Sequence, residues 1–195
     1  MKKKVLMSIV LLAIIGTSAV FAQAPTLDKL DLVVSGAGYE ARAANKDING
    51  AVVIPGSHNG KPVIRVQSGS FARDGFRNVL NITSVTILEG VSTIGQSAFG
   101  GCKALTSVTI PASMTSIENY AFTIDNTNAL TSVTFNGSDT KFGRAPFPGD
   151  LDIVYKANGA GTYTRPSVSS NNWTKVGGAA VCPTCGQPLP AGFKL

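Results

Sequence analysis

Three hexapeptides in this chain nearly coincide: Ile82-Thr83-Ser84-Val85-Thr86-Ile87, Leu105-Thr106-Ser107-Val108-Thr109-Ile110 and Leu130-Thr131-Ser132-Val133-Thr134-Phe135, at steps of 23 and 25 residues. Apolar residues stand at the first, fourth and sixth positions of each. The likeness continues downstream, where Val91-Ser92-Thr93-Ile94-Gly95-Gln96-Ser97-Ala98-Phe99 aligns with Met114-Thr115-Ser116-Ile117-Glu118-Asn119-Tyr120-Ala121-Phe122. Self-similarity at this period means one small unit stacked along an axis, a solenoid. A lone unit cannot fold. Its roughly five large inward side chains bring about 1.5–3 kcal/mol each on burial, while ordering its residues costs about 1–2 kcal/mol apiece. Neighbouring units must complete the core.

Within a unit, the Ser-Val-Thr-Ile stretch alternates and is rich in β-branched residues, which predicts a short strand with Val108 and Ile110 inward and Ser107 and Thr109 outward. Pro111 ends it, having no N–H for a further ladder bond. Ile117, Ala121 and Phe122 share one face of a following turn or single helical turn that plugs the opposite wall. A weaker leading unit places Val52-Val53-Ile54-Pro55 and Val66 through Phe71 where Ile110-Pro111 and Ile117 through Phe122 stand later. The fold class expected is mainly β with short helical turns: a solenoid with one parallel sheet of short strands and irregular caps.

Those repeat residues, Leu105 to Phe122 above all, resemble the treponemal-type, BspA-like leucine-rich repeat family, over roughly Val52 to Leu151. The stretch from Tyr155 to Lys175 is similar to the tail that closes short members. The resemblance implies an exported or surface-displayed protein, of a kind that attaches to host matrix proteins or to other bacteria. Two complete repeats lie between imperfect ends here, fewer than in long members.

The ends read as the caps a solenoid needs. Leu30-Asp31-Leu32-Val33-Val34 and Ala51-Val52-Val53-Ile54 read as strands around a polar turn at Asn45 to Gly50, and Leu151-Asp152-Ile153-Val154-Tyr155 as a last strand. From Asn158 to Ala180 the Gly, Ser, Asn and Thr content predicts an irregular cap, pinned by the lone Trp173. At the amino terminus, Lys2, Lys3 and Lys4 precede an apolar run from Val5 to Ile15 and small residues, the order of a signal peptide with cleavage after Ala22 or Ala24. The apolar run is shorter than the ~20 residues a spanning helix needs. The organisation expected is a signal at 1–24, an N-terminal cap at 25–51, the leucine-rich-repeat solenoid at 52–150, a C-terminal cap at 151–177 and a cysteine-bearing tail at 178–195.

Removing the signal takes three lysines with it and leaves 14 basic against 11 acidic residues. That excess is scattered, with no block of Lys and Arg among aromatics, which speaks against nucleic acid as a partner. Three cysteines are too few for a disulfide-dense scaffold.

Catalytic groups are scarce. The only histidine, His58, sits in the turn Gly56-Ser57-His58-Asn59-Gly60, and Glu89, Glu118 and Asp125 fall at unrelated repeat positions without forming an acid–base pair. Gly36 to Ala41 fits a loose dinucleotide fingerprint, but the turn-like Asn45 to Gly50 stands where its helix belongs. Gly56 to Lys61 is one residue short of a phosphate loop, and Pro62 replaces the Ser or Thr such a loop needs. Cys182-Pro183-Thr184-Cys185-Gly186 looks like one knuckle of a zinc ribbon, yet the chain has no second pair. A local disulfide or inert thiols, a metal half-site completed by a second molecule, and a redox pair all remain open for it. Cys102 reads as a small buried apolar residue.

The remaining candidates lie on the sheet. Ser84, Thr86, Ser107, Thr109, Ser132 and Thr134 form two hydroxyl ladders on its outer face, offering hydrogen bonds without charge to a protein or glycan. No large aromatic stands among them to make a hot spot, and Ser and Thr are also simply soluble strand residues. The expectation is an exported, non-enzymatic interaction or adhesion module without cofactor or metal, binding through its repeat face to a ligand outside the cytoplasm. The alternative is a structural envelope or periplasmic component that assembles through its Cys-bearing tail, with or without zinc.

Overall fold

The computed structural model describes residues 24–69, 75–123 and 129–177. The signal segment except for Ala24, together with Phe71, Asp125 and the Cys182 to Cys185 pair, lies outside these residues. In chain order the strands are β1 (Leu30–Ser35), β2 (Gly38–Ala43), β3 (Asn49–Ile54), β4 (Ser57–His58), β5 (Lys61–Val66), β6 (Asn81–Ile87) and β7 (Thr93–Ile94). They continue with β8 (Ser107–Ile110), β9 (Ser116–Ile117), β10 (Ser132–Phe135), β11 (Lys141–Phe142), β12 (Gly161–Thr164) and β13 (Thr174–Lys175). A single α-helix among the described residues, α1 (Leu151–Asn158), follows β11, and a 3-10 turn at Leu27–Lys29 leads into β1.

The repeated hexapeptides build the front sheet. β3, β6, β8 and β10 run parallel, with Val85 opposite Val108 and Val108 opposite Val133, all buried. Period-2 alternation drives this: Val and Ile face the core while Ser and Thr face out. The solenoid fold of stacked parallel strands is as expected, but its sheet is not alone. A rear sheet of order β1-β2-β5-β7-β9-β11 closes the opposite side, where only a turn was read. β7, β9 and β11 are two residues long, each with one outward and one inward-leaning side chain, so alternation has no length over which to show.

Between the two sheets the turns form a third hydrogen-bonded row. The Phe76 N–H donates to the Ala98 carbonyl, Phe99 to Ala121 and Phe122 to Pro146, at 2.8–2.9 Å. Their rings stack in a continuous column, Phe76 on Phe99 on Phe122 on Phe147, with centroids 4.8–5.1 Å apart and ring planes within 19°. Ile117, Ala121 and Phe122 are buried together as read. In the leading unit the described ring that starts this column is Phe76.

Two hairpins account for the rejected nucleotide motifs. Gly36, at φ +57, turns β1 into β2, so a strand follows where the dinucleotide fingerprint needs a helix. Asn59 and Gly60, at φ +48 and +75, form the tight turn between β4 and β5, the geometry Asn-Gly favours. Gly56 is required for contact with the next coil, since a Cβ there would lie 1.6 Å from the Glu89 carbonyl oxygen.

The C-terminal end departs from the reading in two places. Leu151 to Tyr155 is not a strand but the start of α1: Leu151 and Tyr155 are buried one turn apart while Ile153 is 66% exposed. A short apolar run fits either period, and burial here follows the helical one. The segment after Asn158 is not irregular throughout, because β12 turns back antiparallel onto β10 and β13 pairs with β12. Trp173 does pin it: the ring is buried, Nε1 donates to the Pro148 carbonyl at 2.8 Å, and the backbone N–H donates to Asp150 Oδ1 at 2.8 Å. The Arg165 guanidinium lies 5.3 Å from the Trp173 ring and donates through Nε to the Leu130 carbonyl at 2.7 Å.

Candidate functional site

The outer face of the front sheet is set by register. Ser84 pairs with Ser107 and Ser107 with Ser132, while Thr86 pairs with Thr109 and Thr109 with Thr134. The structure therefore brings all six predicted residues onto one surface in two unbroken ladders, each side chain half-buried by its neighbours. Parallel strands in register repeat identical side chains at the strand spacing of about 4.8 Å.

The face is larger than the repeats alone suggest. Although β12 runs the other way, Thr164 comes opposite Ser132 and Thr162 opposite Thr134, and the Thr134 and Thr162 hydroxyl oxygens lie 2.9 Å apart in a hydrogen bond. Thr83, Thr106 and Thr131 add a third row at the strand starts, where Thr106 donates to the Thr83 carbonyl through both N–H and Oγ1 at 2.9 Å. Thr162 and Thr164 leave no signal in the sequence because β12 carries a single buried residue, Tyr163, and so shows no alternation. On the other flank the ladders stop at β3, where Ala51 and Val53 stand opposite Ser84 and Thr86.

What such a surface does chemically is narrow. Hydroxyls on adjacent strands donate and accept hydrogen bonds, their methyl groups add apolar contact, and no group in the ladders titrates near neutral pH. That suits recognition of a partner's polar groups. It does not suit proton transfer.

The other candidate groups are engaged in holding the stack. The two Glu89 carboxylate oxygens accept the N–H groups of Ala112 and Ser113 at 2.7 and 3.0 Å. Glu118 accepts from Arg65 and from the Gln96 N–H, both at 2.9 Å. His58 rests edge-on against Tyr39, with ring centroids 5.3 Å apart, and Nε2 lies 3.0 Å from Asn59 Nδ2. Cys102 is fully buried, its thiol donating to the Phe76 carbonyl at 3.1 Å, and burial pushes its pKa up to about 12. Among the described residues no three His, Cys, Asp or Glu side chains gather as metal ligands would, and no helix is long and apolar enough to cross a membrane.

Comparison with known proteins agrees with this geometry. Residues 69–152 match the model of the BspA type leucine rich repeat region. The crystal structure of the T. pallidum leucine rich repeat protein superimposes with a TM-score of 0.52 at 24% identity, covering 65% of this chain and 56% of that one. This chain therefore spans little more than half of that protein's length. No curated protein matches. Residues 69–152 are thus similar to a BspA type leucine rich repeat region, and the fold that carries them is a leucine-rich-repeat solenoid of stacked parallel strands.

Proposed function

We propose that this protein is exported and acts outside the cytoplasm as an interaction or adhesion module, binding a protein or glycan ligand through the hydroxyl face of its front sheet. The observation that carries the reading is the in-register surface itself, in which Ser84, Ser107, Ser132 and Thr164 run beside Thr86, Thr109, Thr134 and Thr162 without a charged side chain among them. A repeat family that serves as a scaffold for protein interaction supports it. Export is supported by the Lys2 to Lys4 cluster, the apolar run behind it and the small residues up to Ala24.

Replacing Thr86, Thr109 and Thr134 together with Lys tests the face. Three stacked ammonium groups would repel one another and any partner that docks flat on the sheet, so attachment to extracellular matrix proteins and to cells should fall at least tenfold. Unchanged attachment by a folded triple variant sinks the reading of this face. Export is tested separately by N-terminal sequencing of the protein recovered outside the cytoplasm, which should begin at Gln23 or Pro25. A chain that retains its first residues and stays in the cytoplasm overturns that part.

A further inference from the structure

The two sheets end differently on the N-terminal side of the stack. The outer edge of β3 is closed: the Lys29 ammonium donates to the carbonyls of Asn49 and Ala51 at 2.6 and 2.9 Å. Thr26 takes the Val53 N–H on its hydroxyl at 2.9 Å and returns its own N–H to the Val53 carbonyl at 3.2 Å. Closure of this kind is how proteins keep an edge strand from pairing with another chain. The matching edge of the rear sheet is β1, and among the described residues it pairs with β2 alone. It carries no Pro, Lys or bulge along its six residues. Its one charge, Asp31, is met by Arg42 at 2.5 Å.

The backbone phase of this edge follows from the hairpin. Ser35 and Gly38 flank the two-residue turn and exchange bonds, and hydrogen-bonded pairs then alternate along the strand. The bond from the Ala44 N–H to the Lys29 carbonyl, at 3.0 Å, keeps the same phase. Asp31, Val33 and Ser35 thus direct their backbone groups to β2, while Leu32 and Val34 direct theirs away from it. Leu30 has the outward phase too, but its N–H already donates to Leu27. Val34 is 63% exposed, whereas Leu32 leans on the core.

We infer that β1 pairs antiparallel with β1 of a second copy of this chain, about a two-fold axis through Val33. In that register Leu32 faces Val34 of the second copy and Val34 faces its Leu32, so four backbone hydrogen bonds form and the exposed valine is covered. Asp31 comes opposite Ser35, and no like charges meet. Centring the axis on Leu32 instead would require the Leu30 N–H that Leu27 already holds. Two rear sheets would join into one, with the front hydroxyl faces left free on both copies. The contact is narrow, so the dimer is a weak one.

Crosslinking decides the register. Val33 would meet its own copy in a non-hydrogen-bonded pair, with Cα atoms about 4.5 Å apart, a separation a disulfide spans. With Cys182 and Cys185 changed to Ser, Val33→Cys should give a disulfide-linked dimer on oxidation of the protein as recovered from its producing cells. Ser35→Cys should not, since its two copies lie about 13 Å apart along the strands. Val34→Pro removes an outward N–H without touching the β1–β2 bonds, and should weaken self-association in sedimentation at least tenfold with the melting temperature unchanged. A monomer in which Val33→Cys forms no crosslink overturns the inference, whether the edge is open, covered by the chain's own remaining residues, or taken by a strand from another protein. A dimer indifferent to Val34→Pro, and crosslinked as well by Ser35→Cys as by Val33→Cys, overturns it too. Should the proline variant not fold, the two cysteine variants still decide.

Discussion

Glu89 holds Ser113 from the preceding coil: its Oε2 accepts the Ser113 N–H at 3.0 Å, and the Ser113 hydroxyl in turn accepts the Gly90 N–H at 2.9 Å. The same hydroxyl donates to the Val91 carbonyl at 2.9 Å, so one short loop stitches two coils together. Glu89 is exposed, and water competes for each bond. Glu89→Ala should therefore cost about 1 kcal/mol, seen as a melting temperature lower by roughly 2–4 °C. Glu89→Gln keeps one acceptor oxygen and should fall between. A variant as stable as the parent would show that the stitch adds nothing to stability.

The phenyl column runs through the core from Phe76 to Phe147. Phe99 is fully buried between Phe76 and Phe122, with neighbours at 5.1 and 5.0 Å. Phe99→Ala leaves a ring-sized gap in a stack that cannot slide shut, because the backbones on either side are fixed by coil-to-coil hydrogen bonds. A loss of about 3–5 kcal/mol is expected in urea unfolding. Phe99→Leu retains part of the volume and should cost less than half as much.

The corners before Phe99, Phe122 and Phe147 each carry a residue with left-handed backbone: Ser97, Tyr120 and Ala145 have φ of +54, +56 and +43. None is glycine, so each bears a steric cost of about 1–2 kcal/mol. Ala145 has the least side chain to lose. Ala145→Gly should stabilise the protein by about 0.5 kcal/mol, the relief being partly offset by the freer unfolded chain. Calorimetry would detect a small rise in melting temperature, and a fall would contradict the assignment of strain to this corner.

Cys102 provides a pH test. Burial raises its thiol from an ordinary 9.0 to about 12, so the unfolded chain ionises first. The neutral form favours folding below about pH 9, and that contribution is lost as the pH rises toward 12. Relative to Cys102→Ala, the parent should lose stability across this window and not below it. At pH 8 the thiol should also resist alkylation until the protein unfolds.

Trp173 closes the C-terminal end. Its Nε1 bond to Pro148, its backbone bond to Asp150 and the Arg165 guanidinium over its ring meet in one place. Trp173→Ala should cost about 3–5 kcal/mol, and Trp173→Phe, which keeps a ring but not the N–H donor, about 1–2 kcal/mol. Chemical denaturation followed by circular dichroism measures both.

The sequence spoke most clearly where one strand repeated itself. Val85, Val108 and Val133 alternate with Ser and Thr over enough residues to show a period, and the inward residues and the hydroxyl ladders were both legible from that. The rear sheet was not, because Ser116–Ile117 and its equivalents contribute a single inward residue each. Phe76 escaped a reading by spacing because it stands farther after Val66 than Phe99 and Phe122 stand after Ile94 and Ile117. Leu151 to Tyr155 was ambiguous for another reason: five residues of mixed polarity satisfy both periods, and only the neighbours, Phe135 and Phe142 against Tyr155, decide for a helix. Thr162 and Thr164 joined the candidate face through a change of strand direction that leaves no mark in composition.

That reversal at β12 ends the parallel stack of the front sheet. A parallel coil presents the same edge it was built on, so another coil can always follow it. An antiparallel strand whose own neighbour is the two-residue β13 presents a different edge, and growth stops. Duplication or deletion of one coil between β6 and β10 would therefore lengthen or shorten the face by one rung while leaving both ends as they are. The reach of the surface is written in the number of middle units, independently of the residues that begin and finish it.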